Sequence, residues 1–117
     1  MFDLNKAEKI FIALGYSDLR RGIDGFAGII QNTFHMNPQT STLFMFCGRR
    51  SDRIKALFWD GDGYILLYKR LETGRYQWPR NEKELKELTM QQFRWLMEGL
   101  NIYQKKVIQP IQRQLLY

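Results

Sequence analysis

The sequence is poor in the side chains from which most catalytic and metal sites are built. Its 117 residues include one cysteine, Cys47, and one histidine, His35. A lone cysteine cannot form an internal disulfide, so we expect the chain in a reducing cytoplasm. Zinc sites generally take about three or four nitrogen or sulfur ligands from the chain, which this pair cannot supply. The sequence therefore predicts no metal and no other cofactor.

Long apolar segments are also missing. No apolar run approaches the roughly 18 residues that a transmembrane helix needs. Residues 1–6 lack the apolar core and the small-residue cleavage site of a signal peptide. The glycines are scattered or lie in turns, so no glycine-rich phosphate loop is predicted. These absences exclude a membrane-spanning protein and a nucleotide-binding enzyme of the phosphate-loop type.

Positive charge is what the sequence has in excess. Eighteen Lys and Arg against twelve Asp and Glu give a net charge of +6, and the pI is about 9.6. Residues 49–80 hold eight basic and four acidic residues, whereas residues 1–48 hold four of each. Basic charge concentrated in one stretch is typical of a protein with a polyanionic partner, although it also fits simple solubility.

The apolar pattern predicts one compact α+β domain over residues 1–100. Short β-rich runs predict strands at residues 10–14 and 42–47, and Ile23, Phe26, Ala27 and Ile30 follow helical spacing within residues 22–35. The segment 80–88 is either a short strand or a turn of helix. A capping box from Thr89 to Gln92 begins a second helix. We expect a mostly antiparallel sheet of about four strands packed against two or three helices, with 101–117 as a helical or loosely attached tail.

A β-hairpin is the clearest local feature. Residues 54–60 and 63–71 flank the turn residues Gly61 and Asp62. A two-residue loop there pairs Trp59 with Tyr64 and places Arg53 opposite Arg70. Like charges directly opposed on a sheet are unfavourable. Such a pair is easier to explain if an anion, or Asp52 or Glu72, lies between the two guanidinium groups.

Two interpretations of the acidic hairpin turn differ in function. Asp60 and Asp62, with a third carboxylate from elsewhere, could hold Mg²⁺ for phosphoryl transfer. Hairpin turns also use Asp and Gly for backbone reasons alone, and we favour that structural interpretation. His35 is expected at the surface or at a helix end, and Cys47 as a buried small apolar residue.

Basic and aromatic residues are the better candidates for function, because Lys and Arg neutralise phosphates and exposed aromatic rings stack on bases. The predicted nucleic-acid-binding residues are Arg20, Arg21, Arg49, Arg50, Arg53, Lys55, Lys69, Arg70 and Arg75. The rings of Trp59, Tyr64 and Tyr68 lie on one predicted hairpin face and are candidates for a protein–protein contact. Under the alternative interpretation these rings belong to the core and the arginines are solvated strand ends.

The sequence also resembles the second-open-reading-frame accessory proteins (TnpB) of insertion-sequence family sixty-six. The resemblance covers about residues 10–100. It rests on Asp18-Leu19-Arg20-Arg21-Gly22-Ile23-Asp24-Gly25-Phe26, on Leu43-Phe44-Met45-Phe46 followed by Arg49-Arg50, on Trp59-Asp60-Gly61, and on Tyr68-Lys69-Arg70-Leu71-Glu72 followed by Trp78-Pro79. Leu19 and Arg21 replace the usual Met and Lys.

This resemblance implies an accessory protein of a bacterial transposable element that acts beside a separate transposase. The first hypothesis is a non-enzymatic protein that binds DNA through its basic residues. The second is a module that docks on the transposase, or on another copy of itself, through Trp59, Tyr64 and Tyr68. The third, a metal-dependent nuclease using Asp60 and Asp62, ranks last.

Overall fold

The computed structural model describes residues 3–81 and 83–104. A 3-10 turn at Leu4–Lys6 precedes the first strand. The strands and helices are β1 (Lys9–Ala13), α1 (Ile23–Asn32), β2 (Thr42–Cys47), β3 (Arg53–Trp59), β4 (Tyr64–Arg70), β5 (Leu85–Leu88) and α2 (Met90–Met97).

The strands of the described residues form one sheet in the order β4-β3-β2-β1-β5. The β1–β2 pair is parallel, and the other three pairs are antiparallel. The predicted α+β class and the mostly antiparallel sheet are confirmed, with five strands instead of about four. The additional strand is β5, in the segment whose sequence fitted either a strand or a helical turn. It forms because Leu85 and Leu88 face opposite sides of the sheet, each against a core.

Both faces of the sheet are covered, and each cover makes a core. Helix α1 buries Phe26 and Ile30 against Phe44, Phe46 and Leu57. The other face carries a larger core, whose buried members outside the sheet come from α2 and the loops: Leu14, Tyr76, Trp78, Leu96 and Ile102. Strand β2 is buried along its whole length because it is the middle strand and contacts both cores.

Helix α1 connects two parallel neighbours, and this determines where its flanking loops lie. The carboxyl ends of parallel strands meet at one edge of a sheet. The loop 14–22 after β1 therefore lies beside the loop 48–52 after β2. The amide of Ser17 donates a 2.8 Å hydrogen bond to the carbonyl of Cys47 and joins the two loops directly.

The hairpin register is confirmed residue by residue. Trp59 pairs with Tyr64, and Arg53 pairs with Arg70. The amide of Asp60 donates a 2.8 Å bond to the carbonyl of Gly63, which closes a two-residue loop. Gly61 has φ +81°, a left-handed conformation that glycine adopts without steric cost.

Helix α2 begins at the capping box that its sequence predicts. The Thr89 hydroxyl accepts from the Gln92 amide at 3.1 Å, while the Gln92 side chain accepts from the Thr89 amide at 3.0 Å. Gly99 follows the helix with φ +83°. Ile102 is buried in the core beyond the predicted domain boundary at residue 100. The predicted tail lies mostly outside the described residues, so that boundary stays a prediction.

The segment 71–81 crosses the end of the sheet, between the edge strand β4 and the opposite edge. Its backbone binds the loops that follow β1 and β2: the Tyr76 amide donates to the Ser51 carbonyl at 2.7 Å, and the Gly15 amide donates to the Pro79 carbonyl at 2.9 Å. The buried Trp78 indole donates to the Ala13 carbonyl at 2.8 Å. This segment therefore fixes the loops on which the predicted binding residues lie.

Candidate nucleic-acid interface

An open depression lies at the end of the sheet where β1 and β2 finish, and we call it the basic depression. It is formed by the loops 14–22 and 48–52 together with the adjacent ends of β3 and β4. Its lining residues are Tyr16, Ser17, Asp18, Leu19, Arg20, Gly48, Arg49, Arg50, Asp52, Arg53, Lys55, Leu66 and Tyr68. Ligand sites in sheets with parallel strands commonly occupy this position, outside the carboxyl ends of the strands.

A tight turn between β2 and β3 presents two of its arginines to solvent. The Ser51 amide donates to the Gly48 carbonyl at 3.0 Å, and Ser51 has φ +59°. The Ser51 side chain is buried and its hydroxyl accepts a 3.1 Å hydrogen bond from Arg80. Arg49 and Arg50, inside this turn, are exposed. The turn thus holds its backbone toward the protein and directs two guanidinium groups outward.

Five cations and two carboxylates line the basic depression, so positive charge is in excess there. Asp18 binds Arg20 through both carboxylate oxygens, at 2.9 and 2.8 Å. Asp52 accepts from Arg53 at 3.2 Å. These hydrogen bonds lower the pKa of Asp18 and of Asp52 below the usual range, and the pKa of Arg20 is raised in turn. Arg20 and Arg53 are therefore each paired with a carboxylate one or two positions away in sequence.

Arg49 and Arg50 differ from these two arginines. Within residues 3–81 and 83–104, neither guanidinium makes a hydrogen bond or a salt bridge, although the charge of Arg50 helps to lower the pKa of Asp52 in the same turn. Arg21 is exposed two positions before α1, and its guanidinium likewise makes no hydrogen bond or salt bridge within that range, although its charge helps to lower the pKa of Asp18. An exposed arginine without a carboxylate keeps its full charge and its planar donor geometry for an external anion.

Lys55 connects the Arg21 loop to the hairpin. Its ammonium donates to the Arg21 carbonyl at 3.1 Å and lies 5.6 Å from the centre of the Tyr68 ring. Residues Lys55 and Tyr68 are register partners in the β3–β4 pair, so their side chains leave the same face of the sheet. Tyr68 is 55% exposed and lines the basic depression.

The structure brings together most of the predicted nucleic-acid-binding residues, and separates the rest. Those lining the basic depression are Arg20, Arg49, Arg50, Arg53 and Lys55, and Arg21 adjoins it through the bond to Lys55. Lys69, Arg70 and Arg75 are exposed but do not line it. Arg70, opposite Arg53, donates a 3.0 Å hydrogen bond to Glu72, which raises the pKa of Arg70. Each member of this like-charged pair thus has its own carboxylate.

The three predicted partner-binding rings occupy two different places. Trp59 and Tyr64 lie at the turn end of the hairpin, where they contact each other edge to face at 5.0 Å and are partly buried. Tyr68 lies toward the other end of β4, in the basic depression. A protein contact through all three rings stays a prediction.

Sequence reasoning missed Tyr16, whose ring lies 4.7 Å from the Arg80 guanidinium carbon. No spacing rule connects residues 64 positions apart. The available signal was its place directly after the strand-ending Gly15, where chain reversal exposes side chains.

The residues with potential catalytic chemistry have structural surroundings. Cys47 is buried as predicted, and burial raises the pKa of its thiol to about 12, so it stays protonated near neutral pH. His35 is exposed after α1 with φ +57°. Asp60 lies 3.7 Å from Lys6. In the described part of the chain, no three His, Cys, Asp or Glu side chains form a group that could hold a metal ion.

Among the described residues, none of the helices is long and apolar enough to cross a membrane.

Comparison with known proteins supplies the family. No solved structure matches the chain. It is 33% identical to the uncharacterized protein y4hO of Sinorhizobium fredii over 93 residues, which are 80% of this chain and 81% of that protein. It is 29% identical to the uncharacterized protein y4jC of the same organism over 101 residues, 86% of each chain.

The sequence profile of one family, described as IS66 Orf2-like protein, matches residues 8–107. This match includes both loops of the basic depression and the whole β-sheet. It agrees with the resemblance carried by the Asp18–Phe26 segment, the β2 strand with its two arginines, and the hairpin. The chain therefore belongs to the IS66 Orf2-like family.

Proposed function

We propose that this protein binds DNA through the basic depression and assists a separate transposase that carries the strand-cleaving chemistry. Membership of the IS66 Orf2-like family implies an accessory role in transposition. The observation that carries the DNA-binding proposal is the pair Arg49 and Arg50, exposed side by side without a salt bridge among the described residues.

The chemistry of the basic depression suits phosphate. Guanidinium groups bind phosphate oxygens through two parallel N–H donors, and backbone phosphates supply most of the affinity of proteins for nucleic acid. The lining cations outnumber the carboxylates, and Arg21 adds a further charge at the rim. Because the depression is open, a polymer can pass through it without a chain end having to enter.

The proposal that the chain has no catalytic role of its own rests on its side chains. The buried Cys47 thiol is protonated near neutral pH, and the Asp60 carboxylate lies beside Lys6 at the far end of the hairpin. Arginines can position DNA for a transposase without taking part in bond cleavage. An assay for Mg²⁺-dependent DNA cleavage by the purified protein tests this, and cleavage that Asp60→Asn removes would contradict it.

The double variant Arg49→Ala/Arg50→Ala tests the DNA-binding proposal. Fluorescence anisotropy of a labelled DNA is measured against protein concentration at several salt concentrations. Each lost phosphate contact reduces the slope of log K against log salt by about one unit. We expect weaker binding and a slope shallower by about two units for the double variant.

The control variant Lys9→Ala/Arg94→Ala loses the same charge elsewhere. Lys9 is the first residue of β1, at the end of the strand remote from the basic depression. Arg94 lies on α2, which packs against the opposite face of the sheet. A salt slope that is unchanged in folded Arg49→Ala/Arg50→Ala, or equally reduced in both double variants, overturns the assignment of this site.

A further inference from the structure

We infer that the basic depression takes a single-stranded nucleic acid, with one base stacked on the ring of Tyr68 and the neighbouring phosphates on Arg49 and Arg50. This inference rests on the proposed function and narrows it to a class of ligand. It starts from the position of Tyr68, a large aromatic ring that is more than half exposed within a cluster of arginines.

The Tyr68 ring is held in place from one side. The Lys55 ammonium lies over the ring at 5.6 Å, and the same ammonium is fixed by its 3.1 Å hydrogen bond to the Arg21 carbonyl. A cation over one face of the ring is attracted by the π-electrons, which favours this position of the ring. Tyr68 is 55% exposed as a residue, so part of its surface is accessible to a ligand.

A single strand can use such a ring, and an intact duplex cannot. In a duplex each base face is covered by the next base pair, whereas unpaired bases present free faces that stack on tyrosine. Stacking requires only a π-face, so it does not depend on the base. The arginines Arg49 and Arg50 line the same depression and provide the donors for the phosphates on either side of the stacked nucleotide.

The chain contains a second lysine–tyrosine pair that serves as a control. Tyr103 is 51% exposed and Lys86 lies 5.5 Å from its ring centre, so its local geometry matches that of Tyr68. The cleft beside Tyr103 is lined by a single arginine, Arg80, whose guanidinium is bonded to Ser51. Removal of the Tyr103 ring should therefore leave nucleic-acid binding unchanged.

The test compares Tyr68→Ala, Tyr68→Phe and Tyr103→Ala for binding to a labelled single-stranded DNA, an RNA of the same sequence and the corresponding DNA duplex. Loss of one stacked base weakens binding by about tenfold. We expect that loss for Tyr68→Ala on single strands, with a change of less than about twofold on the duplex. Tyr68→Phe keeps the ring and should bind like the parent protein, as should Tyr103→Ala.

Circular dichroism and thermal melting establish that each variant is folded. If Tyr68→Ala unfolds, Tyr68→Thr restores a side chain favourable in a strand and still removes the ring. A loss restricted to DNA or to RNA supports the inference and identifies the preferred sugar.

Equal losses on single strands and duplex, or no loss on either, overturn the inference. The proposed function is judged separately by the salt slope of Arg49→Ala/Arg50→Ala, so the two failures can be told apart.

Discussion

At the scale of residues, the arginines around the basic depression differ in how far they are neutralised. Arg20 and Arg53 form salt bridges with Asp18 and Asp52, while Arg49 and Arg50 form none among the described residues. Because an ion pair with a neighbouring carboxylate competes with an external phosphate, the free arginines should contribute most to binding. Side-chain geometry therefore predicts unequal contributions from the basic residues, and the nucleic-acid-binding role of each stays a prediction.

Asp18→Asn should strengthen nucleic-acid binding. The substitution keeps a side-chain oxygen for the Arg20 amide, which donates to Asp18 at 3.0 Å, but removes the charge that holds the guanidinium. We expect tighter binding at low salt and a salt slope steeper by up to about one unit, because Arg20 becomes available to a phosphate. Anisotropy titrations over a series of salt concentrations measure both quantities.

Asp60→Asn is the matched control, since it frees Lys6 from a 3.7 Å ion pair at the turn end of the hairpin. An unchanged slope in Asp18→Asn, or the same steepening in both variants, would show that Arg20 does not reach the nucleic acid.

At the scale of elements, the segment 71–81 has no regular secondary structure, but it holds the loops 14–22 and 48–52 in place. It is anchored by the buried rings of Tyr76 and Trp78, and they differ in one respect. The Trp78 indole N–H is bonded to the Ala13 carbonyl, whereas the Tyr76 hydroxyl is buried without a partner in the described part of the chain. Burial raises the pKa of that hydroxyl, so Tyr76 stays neutral.

Trp78→Phe should lower the free energy of unfolding by about 2 kcal/mol, because it leaves the Ala13 carbonyl unsatisfied and reduces the buried ring. Tyr76→Phe should leave that free energy unchanged or raise it by about 1 kcal/mol, because it removes an unpaired buried hydroxyl. Urea denaturation followed by tryptophan fluorescence or circular dichroism measures both. Similar destabilisation by both substitutions would mean that the Tyr76 hydroxyl has a partner that stabilises the fold.

Local signals predicted the elements best. The α1 spacing, the hairpin register and the Thr89 capping box each depend on residues close in sequence, and each is confirmed. The pairing of β1 with β2 and with β5 could not be predicted in the same way. Residue Ile10 pairs with Leu43 on one side and Leu88 on the other, and such distant pairings are selected by packing of the whole core.

At the scale of the whole molecule, parallel pairing of β1 and β2 unites two basic clusters that are separate in sequence. Arg20 and Arg21 follow β1, and Arg49 and Arg50 follow β2, with α1 between them. An antiparallel arrangement of the same strands would have placed these clusters at opposite edges of the sheet. The residues of the candidate site could therefore be predicted from composition, whereas their common location depends on a strand direction that no local motif encodes.

The backbone hydrogen bonds around segment 71–81 should also affect the rate at which loop amides exchange with solvent. The amides of Gly15, Ser17 and Tyr76 lie in loops, yet each donates a backbone hydrogen bond that ties one loop to another. Their hydrogens should exchange with deuterated water as slowly as those of the sheet, whereas exposed turn amides such as Asp62 and Thr73 exchange quickly. Exchange of Gly15 and Tyr76 at the turn rate would contradict this. Exchange at the rate of the sheet would mean that the basic depression keeps its shape until the whole protein unfolds.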